Sequence, residues 1–317
     1  MTIHRAKLTF ASIGNPAGAP GRGHARHAGL AFLLLAAVAL LPAPAHAQWI
    51  TDLQTGVFHN SNLGDASAGP DVHAVFGTTA SVTTGPFFEI NPGTSVLLTG
   101  LALGTAFNHY TAEDSLALGA SARLDHKFGL GRQAPHAYLV GSQTRLEVRD
   151  GLRTGWLQAL TLGGHEMFGD RLVLRTEVTL DRRSGTSPAR LHPSVPSNVF
   201  DQSHRSLAVG ADYSVNDVLL LQLTTTLLRG DADYIETSTP SDLFSDAEAA
   251  TRDPTFGAST YVEKVQVRSL ILDFGASYAI GEHASINLIY RRELTLSASG
   301  DLYARSIPTI NYQYRFD

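Results

Sequence analysis

Beyond residue 47 the chain alternates apolar and polar side chains in one segment after another. In residues 305–317, Ile310, Tyr312, Tyr314 and Phe316 alternate with Thr309, Asn311, Gln313 and Arg315. Successive strand side chains point to opposite faces, so a period of two predicts a strand with one apolar and one polar face. The same reading yields twelve strands, at 49–60, 73–85, 95–110, 116–128, 136–149, 155–168, 171–183, 204–215, 218–230, 265–280, 283–297 and 305–317. Residues 171–183 are a clean case, with Leu172, Leu174, Val178 and Leu180 against Arg175, Glu177 and Asp181. Residues 136–149 set Tyr138, Val140, Leu146 and Val148 against Gln143, Arg145, Glu147 and Arg149. In 95–110, Leu97, Leu101, Leu103 and Phe107 face away from Gly100, Ala102, Gly104 and Ala106. Two segments carry little pattern. Residues 73–85 are Thr-rich, and in 155–168 Leu160, Leu162 and Phe168 share a face with Glu166. One short helix is expected at 241–251.

Segment length and turns separate a barrel from a soluble sandwich. The segments run 12–16 residues, whereas strands of soluble sheets average about five or six. Gly169-Asp170, Asn216-Asp217 and Gly281-Glu282 are two-residue turns of the kind tight hairpins favour. The alternate connections include two long loops, 184–203 and 231–264, rich in Ser, Thr, Pro, Asp and Gly. The connections 86–94 and 129–135 are expected as longer turns on the short side. Short turns at one end and long loops at the other predict an all-β, antiparallel, up-and-down transmembrane β-barrel of about twelve strands, with its short end in the periplasm. Trp49, Tyr138, Trp156, Phe168, Tyr278 and Tyr314 lie near strand ends, where an interfacial aromatic girdle belongs.

The N-terminus indicates the compartment. An apolar run at 28–41 follows Arg5, Lys7, Arg22 and Arg26 and ends in Ala45-His46-Ala47, an A-x-A cleavage signal. That is the pattern of a secretory signal peptide, and the run is too short to cross a bilayer as a helix. The expected organisation is a leader at 1–47 and a barrel at 48–317. The leader carries four cations and no anion, so its removal leaves 20 basic against 29 acidic residues, a net charge of −9. An acidic surface argues against nucleic acid as a partner. There is no cysteine, hence neither a disulfide framework nor a thiolate metal site. No cofactor motif is present; the Gly-x-Gly at 129–131 sits in a turn between strands.

The closing strand, with its terminal aromatics in an exported chain, resembles the C-terminal assembly signal of integral outer-membrane β-barrels of Gram-negative bacteria. That family normally ends on Phe; here Asp317 follows Phe316. The whole mature length resembles the uncharacterised barrels of that class. The resemblance implies an outer-membrane location and contact with outer-membrane lipid and lipopolysaccharide. It also implies recognition by the barrel-assembly machinery through Ile310, Tyr312, Tyr314 and Phe316. The last strand should pair with the first, with Tyr312, Tyr314 and Phe316 toward lipid and Arg315 toward the lumen.

Two classes of function follow. The polar faces supply Arg123, Asp125, Lys127, Arg145, Glu147, Arg175, Glu177, Asp212, Asp273, Arg291, Glu293 and Arg315 as lumen-facing residues. Pairing across the lumen would make them a structural network; left open, they would line a small selective pore. The expectation is a non-enzymatic barrel, either a narrow channel or a scaffold displaying loops 184–203 and 231–264. The alternative is a lipid hydrolase. His59-Asn60-Ser61-Asn62 resembles the active-site segment of the outer-membrane lipid A deacylase and phospholipase A. By that resemblance His59 would be the general base and Ser61 the nucleophile. Where those families carry the third, orienting residue, this chain has His73, and Asp65 and Asp71 are the nearest carboxylates. The same residues are also ordinary turn chemistry at the end of a strand.

Overall fold

The computed structural model describes residues 47–67, 69–186, 196, 198–237 and 248–316. The expected leader, 1–47, lies outside them apart from Ala47, as do positions 241–247 of the expected helix. The strands are β1 (Ala47–Asn60), β2 (Val75–Asn91), β3 (Thr94–Phe107), β4 (Ser115–Lys127), β5 (His136–Val148), β6 (Gly155–Phe168), β7 (Leu172–Gly185), β8 (Ser203–Ser214), β9 (Leu219–Thr237), β10 (Ala249–Arg252), β11 (Thr260–Ala279), β12 (Ala284–Ser297) and β13 (Leu302–Phe316). Each pairs antiparallel with its neighbours, β9 pairs with β11, and β13 returns to β1. Twelve strands therefore close into a barrel, and the short β10 adds to the far end of β11. Closure pairs every wall strand on both edges and leaves no edge to manage.

The alternation of the sequence becomes an outer and an inner wall. Leu116, Leu118, Leu162, Val178, Leu180, Val209, Leu227, Leu288 and Ile310 are exposed on the outer wall. Trp49, Trp156, Phe168 and Tyr278 are exposed there too. Ile310, Tyr312 and Phe316 lie outward, and Arg315 lies inward opposite Asp52. β3 reverses the usual sense. Its Leu101 and Leu103 pair with Thr83 and Ser81 on the inner side, while Gly100, Ala102 and Ala106 are exposed outside.

β5 also differs from expectation. Leu118 pairs with Arg145, Leu116 with Glu147, and Arg123 with Val140, so Arg145 and Glu147 share the outer face. Tyr138, expected in the outer girdle, is buried inside at 4% exposure. Both parities of β5 carry apolar side chains, so alternation did not decide the facing. The ladder did: Tyr138 turns inward, where its hydroxyl donates to Glu177 (2.5 Å). Arg145 and Glu147 pair with each other (2.6 Å) near the long-loop rim, and the Arg145 guanidinium lies over the Trp156 ring at 5.6 Å.

One end of the barrel has short turns. Residues 86–91, expected as part of a turn, continue β2, because Phe87 and Phe88 still pair with Leu97 and Val96. Only Pro92 and Gly93 remain between β2 and β3. Gly169 has φ 62°, a conformation that suits glycine. Asn216 caps its turn by accepting from the Val218 and Leu219 amides. At the other end β9 and β11 continue past the wall to the pair Thr237↔Thr260, so 231–237 and 260–264 are strand rather than loop. Residues 249–251, expected as helix, form most of β10.

Candidate functional site

At the long-loop end the β9–β11 extension meets the other loops and forms a cap with them. Two apolar clusters lie there. Tyr234, Val265, Val267 and Tyr303 pack with Leu228 and Ala232. Val199, Phe200, Ala249 and Val262 pack with Leu152. The Ile235 amide donates to the Gly64 carbonyl (2.9 Å), and Asp71 accepts from the Thr237 hydroxyl (2.6 Å) and amide (3.1 Å). Lys264 Nζ donates to the Asp201 carbonyl (3.2 Å), and Gln202 Nε2 to Asp233 (3.2 Å).

Arg153 is the hub of this cap. Its guanidinium pairs with Glu113 from the β3–β4 loop (2.7 Å), Asp150 of its own loop (2.7 Å) and Asp253 from the β10–β11 connection. It lies over the rings of Phe200 (5.2 Å) and Phe256 (5.8 Å). Phe256 in turn stacks on Tyr110 (4.9 Å) and His73 (5.3 Å). The Arg153 carbonyl accepts from Arg183. One side chain thus touches residues from four separate loops. Burial pushes the Glu113 carboxyl up to about 7; Arg153 opposes that, and Asp150 and Asp253 add to it. Burial would lower the Arg153 guanidinium, but Glu113 and Asp253 outweigh it and hold its pKa above the usual value. Carboxylate oxygens of Glu113, Asp150 and Asp253 lie within 4.8 Å of one another, a spacing that suits a cation. Arg153 already supplies that positive charge.

Below the cap the charges pair along the wall instead of across the lumen. Arg315 bonds Asp52 (2.9 Å), Arg291 bonds Asp273 (2.7 Å) and Arg123 bonds Asp125 (2.7 Å). Arg175 lies 3.6 Å from Asp212 and donates to Thr224 (2.6 Å). Glu293 holds Arg305 (2.6 Å), which reaches Asp65 in the β1–β2 loop (2.8 Å). Glycines make room for bulky inner side chains to lie flat. A Cβ at Gly163 would stand 2.4 Å from the Tyr138 ring, one at Gly210 2.4 Å from Arg175 Nε, and one at Gly77 2.3 Å from the Phe58 ring.

Of the lumen residues expected from sequence, Arg123, Asp125, Lys127, Arg175, Glu177, Asp212, Asp273, Arg291, Glu293 and Arg315 lie on the inner wall; Arg145 and Glu147 do not. The hydrolase residues are not brought together. The His59 ring lies on Phe76 outside the barrel (4.7 Å). Ser61 Oγ accepts from the Ser306 amide (2.8 Å), and Asp71 holds Thr237. Among the described residues no hydrogen bond joins His59 to Ser61 or to Asp71. Arg153, Glu113, Asp150 and Asp253 were not singled out from sequence. They sit in irregular loops, where no periodicity marks a partner.

No protein-family model matches the chain, and no curated protein matches it. Solved structures do. An outer-membrane channel of Pseudomonas putida F1, the COG4313 channel, superposes with a TM-score of 0.54 at 8% identity, covering 87% of this chain and 99% of that one. The outer-membrane channel DcaP of Acinetobacter baumannii gives 0.38 at 9% identity, covering 86% of this chain and 98% of its own. With a closed antiparallel twelve-stranded wall, an apolar outer face and a polar-paired inner face, the chain has the fold of the outer-membrane β-barrels.

Proposed function

We propose that this barrel is a gated channel of the bacterial outer membrane, with its short turns in the periplasm and its capped mouth outside. The observation that carries the reading is the lie of the inner side chains. Tyr138, Arg175 and Phe58 lie flat over Gly163, Gly210 and Gly77, and four Arg–Asp pairs run along the wall. A barrel serving only as a loop scaffold gains nothing from keeping bulky groups against its wall. Paired charges also leave little net charge on the lumen surface, which favours neutral or weakly charged solutes over selection by a charged ring. The cap is held by loop contacts, two small apolar clusters and the ion pairs of Arg153, and not by the continuous ladder of the wall, so it is the part that opens.

Planar-bilayer recording on the refolded, full-length mature chain tests this. Discrete conductance steps, rare with the cap intact and frequent once it is loosened, are expected. A barrel that folds and inserts but never conducts, with the cap intact or loosened, sinks the channel reading and leaves the scaffold.

A further inference from the structure

Among the described residues the closing seam has the shortest ladder of the barrel wall. β1 and β13 share eight residue pairs, from Thr51↔Phe316 to Phe58↔Thr309, whereas every other wall seam has eleven or more. The ladder stops where His59 faces Pro308, because proline has no N–H to give to β1. Contact resumes at Ser61, whose amide donates to the Ser306 carbonyl (3.1 Å).

The outer wall is hollow at that point. A groove of about 510 Å³ runs over β11, β12, β13, β1 and β2. One row of the sheet forms it: Phe274 pairs with Tyr290, Tyr290 with Pro308, and across the seam His59 pairs with Phe76. Pro308, short and exposed, is the gap in a row of rings. Above the groove the outer wall turns polar, with Arg292 and the Tyr290 hydroxyl on Ser306 (2.8 and 3.1 Å). On the inner side the next row reads Gly275, Ile289, Thr309 and Phe58. Phe58 lies over Gly77 and edge-on to Phe107 (5.8 Å), hence toward β2 and β3 and away from Pro308. An apolar outer groove thus stands where a rung is missing, and on the inner side Ile289 and Phe58 lie beside Thr309.

We propose that the Pro308 seam is a lateral portal through which small, flat apolar solutes pass between the lumen and the membrane hydrocarbon. This rests on the channel reading and gives it a solute class and a route. The groove suits an apolar solute because its walls are rings and aliphatic side chains. It suits a flat one because the gap lies in a row of rings, with Tyr290 on one side of Pro308 and His59 on the other. Parting the seam breaks few rungs, since Pro308 has already removed one.

The chain has no cysteine, so a reversible pin can be installed across Phe58↔Thr309. Intact cells producing the wild type, Phe58→Cys/Thr309→Cys or Pro308→Val are mixed with N-phenyl-1-naphthylamine, which fluoresces on reaching membrane hydrocarbon. Wild-type cells should take up the probe several-fold faster than cells without the protein. The oxidised pin should return uptake to that background, reductant should restore it, and Pro308→Val should lower it. Ion conductance of Pro308→Val in bilayers should match the wild type. Wild-type uptake at background, or uptake unaffected by both the pin and Pro308→Val while ions still pass, overturns the portal and leaves the channel. Loss of all conductance in the wild type would overturn the channel reading and the portal with it.

Discussion

Arg153 and Asp253 are one hundred positions apart in the chain and form a buried ion pair across the mouth of the barrel. The pair joins the β5–β6 loop to the connection that returns into β11. Arg153 also holds Glu113 and Asp150, so its loss leaves three carboxylates facing one another without their counter-charge.

Replacing Arg153 by Ala should therefore open the cap while leaving the wall intact. Breaking a buried pair by removing one partner costs about 3–5 kcal/mol, and that loss falls on the cap and not on the wall. Bilayer recordings should show a large rise in open probability. Heat-modifiability on gels should still report a folded barrel.

The Glu113 carboxyl gives the cap a pH dependence of definite sign. Its pKa is near 7 in the closed mouth and about 4.5 once solvated. The closed state therefore binds more protons between those values, and its stability falls as pH rises through that window. Open probability should be lower at pH 5 than at pH 8. Glu113→Gln, which mimics the protonated acid, should keep the low-pH behaviour at pH 8. A response of the opposite sign in the wild type would show that another group governs the cap.

Asp52 and Arg315 clasp the seam near its short-turn end with two hydrogen bonds (2.9 and 3.1 Å). Both are part-exposed, so either single alanine should cost only about 1–2 kcal/mol. The double alanine should cost less than the sum, as directly contacting residues do. Urea unfolding in detergent or lipid, followed by Trp fluorescence, measures all three.

Ser61→Ala tests the hydrolase alternative. Ser61 Oγ is already engaged with the Ser306 amide, so the substitution should cost about 1 kcal/mol through that lost bond. Lipids extracted from cells making the variant should match those from wild-type cells. A loss of deacylated or hydrolysed lipid in the variant would revive the enzyme.

Twelve wall strands, the short-turn end and the facing of Arg315 were legible from residues 48–317, because period two is a local property and the turns carry their own chemistry. Facing was legible wherever one parity was apolar and the other polar, as in β7 and β12. It was not legible in β5, where Leu139 and Val140 are both apolar and the partner strand decided that Tyr138 goes in and Arg145 out. Nor could alternation show that β9 and β11 outrun the wall, since 231–237 and 260–264 read as polar loop until each found the other. The cap is the extreme case. Glu113, Arg153 and Asp253 come from three loops with no shared period, and only closure of the barrel, which brings all the long loops to one rim, sets them around a single buried charge.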